Sequence, residues 1–209
     1  MAKILPFEDK IQRSPSNILR KVPGRPKNID VRSREHLTED EVETLKMAAG
    51  NVGRHRHRDR TLILMMYRHG LRVSEAVDLR WDQVDFKAGS IHINRLKNGK
   101  PATHYLEGDE MRALRRLRRE QSRNPFIFVT ERGGPLTRST VNKLVERAGR
   151  LAGIEFPVHP HMLRHACGFY LANKGVDTRT IQDYLGHRSI QHTVVYTALT
   201  PQKFKGLWS

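Results

Sequence analysis

Cysteine is almost missing. The 209 residues include one, Cys167, so no disulfide can form within the chain, and a reducing cytoplasm is the expected compartment. Cys167 sits in an apolar stretch and reads as a small core thiol. No apolar run approaches the ~20 residues that span a bilayer. The start, MAKILPFEDKIQRS, lacks the apolar centre of a secretory signal. Carboxylates are scarce too: 22 Asp and Glu stand against 38 Lys and Arg, a formal net charge of +16. Such an excess favours a polyanionic partner. DNA, RNA and an anionic membrane all fit the charge alone, and the missing apolar run argues against the membrane.

Residues 1–36 read as a basic arm. Pro6, Pro15, Pro23 and Pro26 interrupt it, and no helical or strand period survives. Little apolar area is available to offset the entropy of ordering it. It is either a solvated tail or an arm that lies along phosphates, which would add affinity rather than sequence choice. Residues 37–209 read as one folded domain.

Thr38 to Glu41 spells a capping box opening a helix to about Ala49. GRHRHRDR follows as a basic turn. Its His55 and His57 lack the thiolate or carboxylate neighbours of a metal site. TLILMMYRH, from Thr61, is apolar nearly all round, as in a core helix, and Gly70 is its expected left-handed cap. Ser90–Arg95 alternates like a half-buried strand, and Ala102–Leu106 is a second strand across an Asn-Gly turn that carries Lys97 and Lys100. Helices are expected from Asp109 to Arg119 and from Thr137 to Leu151, with a third strand near Phe126–Val129.

The most informative stretch is HPHMLRHACGFYLANKGVDTRTIQDYLGHRSIQHTVVY, from His159 to Tyr196. Pro160 suits a first helical turn, and His161 and Arg164, three apart, share a face. A phosphodiester under attack gains negative charge on its non-bridging oxygens. Arginine forks match that charge with planar, permanently charged donors. A tyrosine hydroxyl can be the nucleophile, but its ordinary pKa near ~10 means it needs help losing a proton, which histidine supplies. His159, His161 and His165 also invite a zinc reading. It fails because Arg164 would repel the metal and no fourth ligand is evident.

Three ordered motifs, His161-Met-Leu-Arg164, Leu185-Gly186-His187 and Tyr196, resemble the C-terminal block of the tyrosine site-specific recombinases, the phage-integrase family. GLRVSEAVDL resembles that family's first arginine motif, with Arg72 at the catalytic arginine and Glu75 at the acidic position that supports the site. RLKNGK resembles its β-hairpin, with Lys97 at the catalytic lysine and Lys100 as the competitor. The layout looks most like the short invertases of fimbrial phase switches, which lack the family's separate N-terminal DNA-clamping domain.

The resemblance implies a mixed α+β fold, mainly helical with a small antiparallel sheet. It implies that Tyr196 attacks the scissile phosphate to form a 3′-phosphotyrosyl bond. Arg72, Arg164 and His187 would hold the non-bridging oxygens, His161 would assist proton removal from Tyr196, and Lys97 would protonate the departing 5′-oxygen. No cofactor and no metal are implied, since arginines supply the charge a metal would provide. Arg138, Ser139, Asn142, Lys143 and Arg147 lie on the polar face of the helix the family lays in the major groove, where Asn and Arg can read base edges. The expected partners are double-stranded DNA bearing specific sites, accessory DNA-bending proteins, and three further copies in a homo-tetramer joined through the C-terminal helix. In that helix Phe204, Leu207 and Trp208 form an apolar patch that could also close the chain's own core. The expected location is cytoplasmic, on the bacterial nucleoid. A topoisomerase of the same chemistry, a non-catalytic DNA-binding regulator and a metal nuclease are the competing readings.

Overall fold

Thr38 starts the first helix as expected. Its hydroxyl accepts from the Glu41 amide, the Glu41 carboxylate accepts from the Thr38 amide, and α1 runs Glu39–Asn51. Such a cap contributes roughly 0.5–2 kcal/mol. The computed structural model describes residues 34–95, 99–121 and 124–198. The expected Lys97 and the C-terminal patch therefore lie outside the described residues, as does the basic arm up to residue 33.

Arg34 and His36, assigned to the arm from sequence, pack onto the domain. The Arg34 guanidinium pairs with Glu41 and lies over the Phe156 ring, while the His36 ring rests 4.0 Å from that of Phe169.

The second helix, α2, spans Arg56–Arg68, so it starts before the expected Thr61 and absorbs most of the basic turn. Two polar side chains explain the extension. Arg58 donates to the Val129 carbonyl at 2.7 Å and to Asp59 at 2.7 and 2.8 Å, which lets both charged groups be buried at the start of a helix. From Thr61 to Met66 every residue is buried, and Leu62, Ile63, Met65 and Met66 are wholly inaccessible. This helix packs against α1, α4 (Gly108–Glu120) and α6 (Pro160–Asn173), so the all-round apolar pattern has a neighbour on every side.

After Gly70, at φ 55°, the short helix α3 covers Val73–Val77. Arg72 is its N-cap in extended conformation, not a helical residue as the i, i+3 spacing suggested. A three-stranded antiparallel sheet follows in order β1 (Val84–Asp85), β2 (Ser90–Ile93), β3 (Ala102–Tyr105), with Ile91 opposite His104 and Ile93 opposite Ala102. The expected third strand at Phe126–Val129 does not form. Phe126 and Val129 make only isolated bridges, to Arg80 and Pro135, and the third strand is Val84–Asp85. An apolar run flanked by a short connection cannot by itself say which segment completes a sheet.

Met111, Leu114 and Leu117 of α4 face inward as the spacing predicts. Thr137 caps α5, Arg138–Leu151. Asp177 caps α7, Thr178–Leu185, its carboxylate accepting from the amides of Arg179 and Thr180. The last described helix, α8, is Gln191–Ala198. One large core joins α1 to α6 and the sheet. A smaller one, of Cys167, Ala172, Ile181, Leu185 and Tyr196, joins α6, α7 and α8. No helix among the described residues is long and apolar enough to cross a membrane.

Candidate active site

Tyr196 emerges from α8 into the smaller core and is 2% exposed. The slot that takes its ring is made by an absence. A Cβ on Gly168 of α6 would stand 2.5–2.7 Å from three ring carbons of Tyr196, so only glycine lets the helices meet there. Phe169 packs edge-on against the ring at 5.2 Å, and His187 stacks on it at 6.2 Å. A hydrogen bond between Thr178 and Thr197, 2.9 Å, ties α8 to the start of α7.

Arg164 is the largest fully buried side chain. It donates to the carbonyls of Gly70 and, at 2.7 Å, Leu185, joining the α2 terminus to that of α7. Glu75 is the carboxylate that offsets the cations. Its two oxygens take Arg72 at 2.6 Å and Arg95 at 2.9 Å, with Arg164 4.0 Å away. Burial raises the Glu75 pKa, but Arg95 and the Arg72 contacts outweigh it and hold the group below the usual carboxylate range. The arginines are thus held in place before any phosphate arrives, which is how a preorganised oxyanion site works.

Gly186 makes the LGH turn at φ 65°, and Arg95 packs so tightly against it that a Cβ would fall 2.6 Å from Arg95 Cγ. His187 then turns toward Tyr196, its Nδ1 2.9 Å from the Thr193 hydroxyl. Burial and the charges of Arg164 and Arg72 push its pKa down to about 3. Burial and Arg164 push His161 down to about 4. Burial raises Tyr196 to about 12, with Arg164 opposing. Near neutral pH both histidines are neutral and the phenol keeps its proton.

The sequence-derived set is thus mostly gathered: Arg72, Glu75, Arg164, His187 and Tyr196 surround one cradle. His161 lies at the exposed first turn of α6, its ring edge-on to His165 at 4.5 Å. The Tyr196 hydroxyl instead lies 3.1 Å from Nδ1 of His165. Two residues escaped sequence reasoning. His165 is four after His161, hence on its face of the helix, but its sequence context singles it out only for a zinc reading. Arg95 follows Ile91 and Ile93 in strand parity, so it points to the core as they do. It also donates to the carbonyls of His69 and Tyr184, at 3.0 and 2.6 Å. Lys100 is exposed, 3.9 Å from Asp183. Arg138, Ser139, Asn142, Lys143 and Arg147 are all exposed along α5, while Val141, Leu144, Val145 and Ala148 are buried. Among the described residues, no group of three or more His, Cys, Asp or Glu could hold a metal ion.

Residues 35–203 match the sequence model of the phage integrase family. The chain is 46% identical over 181 residues to the type 1 fimbriae regulatory protein FimE of Escherichia coli K12, covering 84% of this chain and 91% of FimE. It is 44% identical over 184 residues to FimB of the same strain, covering 86% and 92%. Among solved structures, the XerH site-specific recombinase bound to its difH substrate superposes with a TM-score of 0.71 at 26% identity, covering 84% of this chain and 55% of that one. The chain therefore spans nine-tenths of the fimbrial proteins but little more than half of that recombinase.

Proposed function

This chain belongs to the phage integrase family and is a tyrosine-type site-specific recombinase, and on that premise we propose that Tyr196 cleaves and rejoins DNA through a 3′-phosphotyrosyl intermediate. The observation that carries the proposal is the cradle itself. A buried tyrosine lies within the field of a buried arginine, beside a second arginine held on the same carboxylate and a neutral histidine stacked on the phenol.

Arg72 and Arg164 hold the two non-bridging oxygens of the scissile phosphate, and His187 donates to one of them. Preorganised charge of this kind is usually the largest catalytic contribution. Glu75 keeps the arginines from drifting as charge develops. Proton removal from Tyr196 falls to a histidine at the start of α6. Lys97, by its place in the hairpin motif, protonates the departing 5′-oxygen. The phosphoester bond keeps the cleavage energy, so rejoining needs no nucleotide cofactor.

The partner is duplex DNA. The +16 charge favours it, and XerH was solved on a substrate of its own. The polar face of α5 is the proposed major-groove surface. Two fimbriae regulatory proteins match along nine-tenths of their length, and the motif layout resembles the short invertases of fimbrial phase switches, which together favour inversion of a DNA segment over integration. Ile190, Val194 and Val195 expose apolar surface around α8, suited to protomer contacts in a tetramer on paired sites. Bending proteins would bring such sites together.

The test uses duplex selected by this protein from a random pool, then nicked beside the cleavage position so that the freed end diffuses away. Wild-type protein should yield a covalent protein–DNA species that survives denaturation, with a peptide through Tyr196 after proteolysis. Tyr196→Phe should bind equally well and yield none. Adduct formation by Tyr196→Phe would overturn the reading, as would cleavage abolished by a chelator.

A further inference from the structure

We propose that His165, rather than His161, is the catalytic base that takes the Tyr196 proton. The phenolic oxygen and His165 Nδ1 are 3.1 Å apart, an ordinary hydrogen-bond distance. The two rings meet edge-on, their centroids 5.7 Å apart. His161 has its ring against His165, not against the tyrosine. Proton transfer in a transition state requires a base within hydrogen-bond reach, and His165 meets that requirement in the unliganded protein.

The surroundings keep Nδ1 available. His165 is half-buried at one turn from His161, beside Arg164 on its own helix, with Tyr196 facing it from α8. His159 at the helix cap acts to lower the His165 pKa, and Glu35, from the segment before α1, acts to raise it. Burial, then His161, hold His165 down to about 4, so at neutral pH the ring is uncharged and one nitrogen is free to accept. With the proton on Nε2, Nδ1 accepts from the phenol.

The proposal rests on the phosphotyrosyl reading. In the cleavage step the Oη–H bond breaks and its proton moves to Nδ1. The oxygen's electron pair forms the Oη–P bond, and the P–O5′ bond breaks with its pair leaving on the 5′-oxygen, which is protonated by the general acid. Because the phenol sits near 12 and the imidazole near 4, the transfer accompanies attack and does not precede it. On rejoining, the 5′-hydroxyl attacks phosphorus, the Oη–P bond breaks, and the imidazolium returns its proton to the phenolate.

The test measures single-turnover cleavage of the nicked, selected duplex against pH. In His165→Asn a carboxamide oxygen stands where Nδ1 was, so the hydrogen bond survives but cannot accept the proton. Its cleavage at neutral pH should fall by about 10² to 10⁴-fold with DNA binding retained. Its rate should climb tenfold per pH unit as hydroxide replaces the base, whereas wild type stays flat from pH 6 to about 9. His161→Asn should keep a flat profile. Replacing Tyr196 by the more acidic 3,5-difluorotyrosine should rescue His165→Asn more than wild type. His165→Gln serves as a second variant should Asn fail to fold. A flat profile in the His165 variants, an undiminished rate, or the tenfold climb appearing in His161→Asn would overturn the assignment. None of these would disturb the covalent-adduct result with Tyr196, whose own failure is read separately in Tyr196→Phe.

Discussion

Arg95 Nη1 and Glu75 Oε2 lie 2.9 Å apart, and both side chains are almost wholly shielded from water. Arg95 spends its other end on two carbonyls, so one side chain joins β2, the α2 terminus, α3 and α7. Removing one member of a buried pair leaves the other charge without compensation. Arg95→Met should lower the unfolding free energy by about 3–5 kcal/mol. Denaturant titration of Arg95→Met, Glu75→Gln and the double variant measures it. The double variant should cost less than the sum of the two, and strict additivity would show that the pair is not coupled.

Gly168 makes an independent prediction. A methyl group there would collide with the Tyr196 ring at 2.5 Å, so Gly168→Ala must push the nucleophile out of its slot. A displacement on the order of 1 Å can cost ~100-fold in rate. Cleavage should fall by roughly that factor while mobility-shift affinity for the same duplex stays within about twofold of wild type.

Stability should also fall on mild acidification. His104, His165 and His187 sit at about 3, 4 and 3, all below the ordinary 6.5. In each case burial is the first cause. The folded state holds these rings neutral while the unfolded chain protonates them near 6.5. The unfolded state therefore binds more protons, and stability present above that value is lost as pH drops toward 3–4. Melting temperature against pH should be flat above about 7 and fall below about 6.5. His104→Phe should flatten part of that fall, because its ring is the most buried of the three and stacks on Tyr184 at 3.9 Å.

The exposed face of α5 separates affinity from specificity. Lys143→Ala should weaken binding to all duplexes and reduce the slope of log affinity against log salt by about one if it meets a phosphate. Asn142→Ala should leave that slope alone and relax preference at one base position, at a cost of about 1–3 kcal/mol. Binding isotherms on the selected duplex and on a scrambled one, over a range of salt, distinguish the two.

What the sequence determined by itself was set by near neighbours. Capping at Thr38, Thr137 and Asp177 needs residues two or three apart. The inward stripe of α4 needs a 3.6-residue period, and the left-handed turns at Gly70 and Gly186 need a missing Cβ. The ordered motifs around Arg72, Arg164, His187 and Tyr196 were legible for the same reason. Tertiary structure decided the rest. Which segment became the third strand, and which histidine met the phenol, depended on how elements far apart in the chain came to pack. His161 and His165 share a helix face, and no local rule separates them. Only the crossing of α6 and α8 at Gly168, which sets the height of Tyr196 along α6, places the hydroxyl opposite the second ring and not the first.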